Sequence, residues 1–336
     1  MPGRGINLLC IDGGIDGGWV QGLSALVLIR KLMEFIDSDH PPKPCEYFDM
    51  IGGTGMGGVI AIMLGRLGMT VDECSNHYAA LQDRIFCSII GKPFSNHNRH
   101  DHMALELGIK TILRSRGLED DALFKNSDKA ACKVFVTVTC AGTTTIDVLA
   151  SYYRRKGAAE LYNTATIWQA ARATSADSTV FEPINIGPSK RRFLGGGTGA
   201  NNPIFILWEE AMGAFSRHGH LEGNLNCIVS LGCGIGCLER FGENAAIRAK
   251  TVDRIVKETD ETAKRFLNNR PTVLDTGIYH RFSAPNVGNI INSEDMTSVL
   301  QMTDHYIDNK ETQDRLQLCT SKLLMRGGEY AVLRSR

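Results

Sequence analysis

Two copies of one local pattern constrain this chain most: an apolar strand breaks in a run of glycines and restarts as a helix. The first copy runs from Ile6-Asn7-Leu8-Leu9-Cys10-Ile11 through Asp12-Gly13-Gly14-Ile15-Asp16-Gly17-Gly18 into a helix expected from about Val20 to Phe35. The second runs from Tyr47-Phe48-Asp49-Met50-Ile51 through Gly52-Gly53-Thr54-Gly55-Met56-Gly57-Gly58 into an apolar helix from Val59 to Leu67. In the first helix Leu23, Leu26, Val27, Leu32 and Met33 recur at three- and four-residue spacing, and Arg30, Lys31 and Glu34 are left for water. Short apolar strands that feed helices through tight turns build α/β sheets with helices on both faces.

The alternation continues. Thr70 and Glu73 form a capping box that opens a helix to about Ile85, and a helix from Met103 to Arg114 precedes strands at Lys133–Thr139 and Ile146–Tyr152. A helix follows at Thr166–Arg172, a short strand at Arg192–Leu194, and a buried strand at Asn226–Leu231 that ends in Gly232-Cys233-Gly234. Ala245–Asn269 reads as one charged helix, Ile278–Ser283 as a late strand and Met296–Leu324 as mostly helical. No linker, repeat or low-complexity tract interrupts the pattern. The expectation is one stand-alone three-layer α/β domain over residues 1–336, with a central, mostly parallel sheet flanked by helices.

Lys plus Arg equals Asp plus Glu at 37 each, so no net field draws the chain to nucleic acid or an anionic membrane. Arg154-Arg155-Lys156 and Lys190-Arg191-Arg192 are short surface runs rather than a basic stripe. The ten cysteines sit mostly in apolar runs, which predicts reduced, packed thiols. Cys233 and Cys237 have no second pair at zinc-like spacing, and His97-Asn98-Arg99-His100-Asp101-His102 follows a loop signal; neither metal nor cofactor is expected. Residues 1–5 run straight into the first strand without a secretory h-region, and no apolar stretch approaches the ~20 residues that span a bilayer. The expected location is cytoplasmic.

Several long blocks carry a resemblance. They are the Asp-Gly-Gly loop and helix up to Leu32, Pro44-Cys45-Glu46-Tyr47-Phe48-Asp49-Met50-Ile51-Gly52-Gly53-Thr54 with Gly57-Gly58-Val59-Ile60-Ala61, Ile167-Trp168-Gln169-Ala170-Ala171-Arg172-Ala173-Thr174-Ser175-Ala176, and Gly199-Ala200-Asn201-Asn202-Pro203. Together they resemble the patatin-like phospholipase family, most closely its fungal branch. That family uses a serine at the centre of G-x-S-x-G, an aspartate heading D-G-G/A as its base, and a D-G-G-G-x-R-G loop for the oxyanion.

The resemblance implies that all three parts are altered. In Gly53-Thr54-Gly55-Met56-Gly57 the serine position is Gly55, and in Gly195-Gly196-Gly197 the aspartate position is Gly195. Asp16-Gly17-Gly18-Trp19-Val20-Gln21-Gly22 carries Trp19 for a third glycine and Gln21 for arginine. The loop also repeats itself, Ile11–Gly14 and then Ile15–Gly18, as a four-residue insertion would.

Ordinary esterase turnover is therefore not expected. The expectation is a reused apolar pocket, widened at Gly55 and Gly195, lined by Trp19 and Met56, and holding a hydrophobic or lipid-like small molecule. Asp12, Asp16 and Asp177 are the candidate acids or bases, since a carboxyl among apolar walls has a raised pKa; Asp12 or Asp16 could equally just bind loop amides. The loop glycines 13, 14, 17, 18, 53, 57 and 196 and the side chains of Trp19, Gln21, Thr54 and Met56 would shape the pocket. The favoured reading is a non-hydrolytic enzyme of cyclase, isomerase or dehydratase type. Its rivals are a non-catalytic lipid binder and a residual hydrolase that uses Thr54, Ser24 or Ser175.

Overall fold

The computed structural model describes residues 5–14, 19–87, 102–127, 129–177, 181–216, 221–234, 244–290 and 296–325. Strand β1 (Ile6–Ile11) leads to helix α1 (Gly22–Ile36), which buries Leu26, Ile29, Leu32 and Met33 as its periodicity predicts. After α2 (Pro44–Tyr47), strand β2 (Met50–Gly53) turns directly into α3 (Gly55–Ala61), which runs on as a π-helical turn over Ile62–Arg66. The capping box opens α4 (Val71–Cys87): the Thr70 amide donates to Glu73 Oε2 at 2.9 Å and the Glu73 amide donates to Thr70 Oγ1 at 3.1 Å. Then come α5 (His102–Ser115), β3 (Lys133–Cys140), β4 (Ile146–Ala150), α6 (Ala159–Thr164) and α7 (Ile167–Thr174). A second capping box, Thr166 with Gln169, starts α7.

Strands β5 (Ile184–Ile186) and β6 (Arg191–Gly195) precede α8 (Gly197–Ala200) and α9 (Ile204–Phe215). Strand β7 (Leu225–Leu231) is followed by α10 (Ala245–Val256), α11 (Asp260–Asn268), α12 (Pro271–Asp275) and β8 (Tyr279–Phe282). Helices α13 (Met296–Asp308) and α14 (Lys310–Leu324) close the described chain. The sheet runs β5-β6-β3-β2-β1-β7-β8, with β4 on the far side of β3. Its centre, β3-β2-β1-β7-β8, is parallel, and β4, β5 and β6 run antiparallel to their neighbours.

Alternate residues of the strands feed opposite layers, as the pleat requires. Leu9, Ile11, Ile51, Val134, Val136 and Val229 pack under α1, α3, α4, α5, α7 and α14, whereas Leu8, Cys10, Met50, Phe135 and Ile228 pack against α9, α11 and α12. This is the three-layer α/β arrangement expected. No described helix is long and apolar enough to cross a membrane.

Several features depart from the sequence reading. The helix expected over 245–269 is two helices, because the Lys257 and Thr259 carbonyls accept hydrogen bonds from Asn201 Nδ2 (2.6 Å) and Asn202 Nδ2 (2.9 Å). Glu258 then caps the restart, accepting from the Asp260 and Glu261 amides. Helix α9 was not anticipated: Ile204-Phe205-Ile206-Leu207-Trp208 is a short apolar run whose periodicity cannot separate buried helix from strand. The final helical stretch breaks at Asn309, whose side chain caps α14 by accepting from the Glu311 amide.

Candidate functional site

The two glycine motifs meet because β2 and β6 share one edge of β3. Gly53 at the end of β2 pairs with Val136, and Gly195 at the end of β6 pairs with Val138. On the opposite edge β4 pairs with Val136 and Val138 as well, so β6 takes up the edge of β3 where β2 leaves it. Thr137 lies between the two ends. Its hydroxyl is 2.6 Å from that of Thr54, and it would be 2.2 Å from a Cβ placed on Gly196.

Gly55 turns this corner at φ +55°, a left-handed conformation that costs other residues energy, and its amide donates to Thr174 Oγ1 at 2.9 Å. A Cβ there would stand 3.3 Å from the Gly13 carbonyl oxygen. Gly57 lets α3 abut the end of β1: a Cβ on it would lie 2.3 Å from the Asp12 carbonyl oxygen. Gly195 has less room than Gly55. A Cβ on it would meet Thr174 O at 2.9 Å, Asp177 N at 3.0 Å and Ala176 C at 3.1 Å, all main-chain atoms. The residues after α7 have closed over Gly195, and the Gly195 amide donates to Ala176 O at 2.8 Å.

The side chains expected to line a widened pocket are instead built into the core. Met56 is fully buried, and Trp19 is buried with its ring edge-on to Phe181 at 5.8 Å. The Trp19 carbonyl accepts from Tyr78 Oη and Gln82 Nε2, both at 2.7 Å. Gln21 is buried and donates to the Ile290 carbonyl at 2.7 Å, which anchors a distant loop. Gly13, Gly14, Gly53 and Gly57 are also buried. Asp16, Gly17 and Gly18 lie outside the described residues, as do residues 97–101 of the histidine-rich stretch.

None of the three substitute nucleophiles has a described hydrogen bond to a carboxylate or imidazole. Thr54 Oγ1 donates to Ala200 O at 2.6 Å, Ser175 Oγ donates to Ala171 O at 2.8 Å, and Ser24 Oγ accepts from Thr303 Oγ1 at 2.9 Å.

Charge has gathered beside the glycines. Asp12, at the end of β1, has a fully buried side chain whose Oδ2 accepts from Arg281 Nη2 at 2.7 Å. Arg281 also binds Asp260 Oδ1 (2.7 Å) and Ser230 Oγ (2.9 Å). Burial pushes the Asp12 carboxyl up to about 6, against the downward pull of the Arg281 guanidinium. Its Oδ1 is buried without a hydrogen bond, as are Trp19 Nε1, Gln21 Oε1 and Asn201 Oδ1 around the same loop. Burial, with Asp12 close by, raises the neighbouring Cys233 thiol to about 12, so it is no thiolate at neutral pH. Asp177 pairs with Lys257 at 2.8 Å, and the lysine side chain is only 2% exposed.

A cavity of about 960 Å³ lies next to this cluster, and Gly55 is not among the residues that line it. Asp260, Tyr279, Arg281, Tyr306 and Arg315 line it, with apolar Ile255, Val256 and Leu267. It lies along β8 and beyond the end of β7: Tyr279 and Arg281 belong to β8, and Cys233 and Gly234 follow β7. Sequence reasoning missed Arg281, Lys257 and Asp260. The visible signal was an arginine inside the expected strand Ile278–Ser283, where a charge must find a buried partner.

The sequence profile of the family described as patatin-like phospholipase matches residues 9–208. Calcium-independent phospholipase A2-gamma of Oryctolagus cuniculus is 31% identical over 242 residues, covering 70% of this chain and 29% of that protein. Probable inactive patatin-like protein 9 of Arabidopsis thaliana is 27% identical over 211 residues, covering 60% of this chain and 53% of the plant protein. The crystal structure of VipD from Legionella pneumophila aligns with 94% of this chain and 67% of its own at a TM-score of 0.46 and 11% identity.

Proposed function

Because this chain belongs to the patatin-like phospholipase family, we propose that Gly55 and Gly195 occupy the family's serine and aspartate positions and that the protein binds an anionic, lipid-like molecule without Ser-Asp hydrolysis. The carrying observation is the main chain of residues 174–177, which fills the space a side chain on Gly195 would need. An acyl hydrolase needs nucleophile and base within hydrogen-bond reach, and here neither position offers an atom for the reaction.

The cavity beside the site supports the ligand class. Six basic residues line it, Arg254, Lys257, Lys264, Arg265, Arg281 and Arg315, against three acidic ones, Glu258, Asp260 and Glu261; Asp12 and Asp177 pair with Arg281 and Lys257 from outside the lining, so one net positive charge remains to draw an anionic head group. Its apolar walls suit an acyl or polyisoprenoid chain, as in most ligand pockets. A second reading, a non-hydrolytic enzyme of cyclase or isomerase type, draws on Asp12: a buried carboxyl near 6 with a free oxygen is poised for proton transfer at neutral pH. Asp12 reaches the cavity only through Arg281, so the binding reading comes first.

The test combines reactivity and binding. Purified protein should resist a fluorophosphonate probe and leave nitrophenyl esters and phosphatidylcholine vesicles intact. It should bind oleate or lysophosphatidate, measured by displacement of a fluorescent fatty acid, and the Lys264→Glu/Arg265→Glu variant should weaken binding about tenfold, or ~1.4 kcal/mol. Covalent labelling by the probe, or binding indifferent to the charge reversal, would overturn the proposal. Conversion of a ligand that stops in Asp12→Asn would establish the second reading.

A further inference from the structure

We propose that Cys227, His280 and Cys319 form a buried zinc site that ties α14 to the β7-β8 edge of the sheet. The three residues come from β7, β8 and α14, and one donor atom from each lies within 4.8 Å of the other two. The register explains the convergence. His280 pairs with Val229, and Cys227 is two residues earlier on the same strand, so both side chains leave the sheet on one face. Helix α14 packs on that face with Leu316, Cys319 and Leu323 buried.

The spacing fits a tetrahedral ion. With Zn–S bonds of about 2.3 Å, two thiolates at the tetrahedral angle stand about 3.8 Å apart. The Cys227 and Cys319 sulfurs are 3.8 Å apart. A disulfide would need about 2.05 Å.

The chemistry of the donor set agrees. Nε2 of His280 is buried and makes no hydrogen bond, which is costly for an imidazole unless something else takes it up. Two sulfurs and one imidazole nitrogen select zinc over calcium or magnesium, which take oxygen ligands. On binding, two thiol protons leave and two thiolates cancel the dication, so the filled site carries no net charge into the core. The fourth position falls to water, and Asn7, paired with Cys227 across β1 and β7, carries a buried Oδ1 with no hydrogen-bond partner that can accept from it.

Metal analysis of the full chain, purified without chelator, should find one zinc per chain, released by a mercurial reagent. Apoprotein titrated with cobalt should develop thiolate charge-transfer bands and the intense visible bands of tetrahedral cobalt. His280→Gln and Cys319→Ser should each lose most of the bound metal, whereas Cys45→Ser, at a half-buried thiol outside the cluster, should keep it. If either ligand variant fails to fold, the cobalt spectrum of the wild type still decides. A folded wild-type apoprotein that takes up cobalt without charge-transfer bands, or a non-reduced chain two hydrogens lighter because Cys227 and Cys319 have joined, would overturn the proposal.

Discussion

Replacing Gly195 by aspartate rebuilds half of the proposed ancestral dyad, and the surroundings make the outcome calculable. The added Cβ would sit 2.9 to 3.1 Å from three main-chain atoms of residues 174–177. Neither side can yield freely: the Gly195 amide is bonded to Ala176 O, and its carbonyl accepts from Thr139 Oγ1 at 2.9 Å. Overpacking of this kind costs about 1–3 kcal/mol. A carboxylate buried there without a hydrogen bond adds at least about 1 kcal/mol. At roughly 2.1 cal/mol/K of unfolding entropy per residue, 336 residues give about 0.7 kcal/mol/K, so a 3 kcal/mol loss lowers the melting temperature by about 4 °C. Gly55→Ser should be milder, about 1–2 kcal/mol for a side chain at φ +55°. Thermal melts by circular dichroism and nitrophenyl butyrate turnover check both variants and their combination. The reasoning fails if Gly195→Asp melts within about 1 °C of wild type, or if the double variant acquires esterase activity that a fluorophosphonate abolishes.

Two further outcomes follow from the buried charges. The Asp12 carboxyl lies at about 6 in the fold against an ordinary 3.8. Its contribution to stability is therefore fully present below about pH 4 and lost as the pH rises through 6, on the order of 3 kcal/mol. Urea unfolding at pH 4 and 7 should show wild type losing that much relative to Asp12→Asn; an unchanged difference would refute the raised carboxyl. In the second case, Asp177→Asn should cost about 3–5 kcal/mol and Lys257→Met less. The first leaves a lysine only 2% exposed without this ion pair, whereas the second leaves a carboxylate 17% exposed to water. Equal losses in denaturant titrations of the two variants would contradict that ordering.

Much of the fold is written locally. Strands β1, β2, β3 and β7, helix α1 and the Thr70–Glu73 capping box follow from apolar runs, periodicity and cap residues within a few positions of one another. Helix boundaries failed where the cause was distant. Nothing within 245–269 announces a break, because the carbonyls that end α10 are held by Asn201 and Asn202. The candidate site divides the same way: the glycine turns are plain in the sequence, but the closure over Gly195 and the roles of Lys257 and Arg281 are not.

The sequence by itself determined the layered α/β class, the two glycine corners and the family, since each rests on short-range patterning or on motif identity. Tertiary structure alone decided what stands next to those corners. It put Gly55 beside Gly195 through a shared edge of β3, set Asp12 against Arg281 across 269 residues, and gathered Cys227, His280 and Cys319 under one helix. The physical reason is that a charge or thiol in the chain reads as solvated or merely packed. Only the sheet that removes it from water fixes the partner it must have.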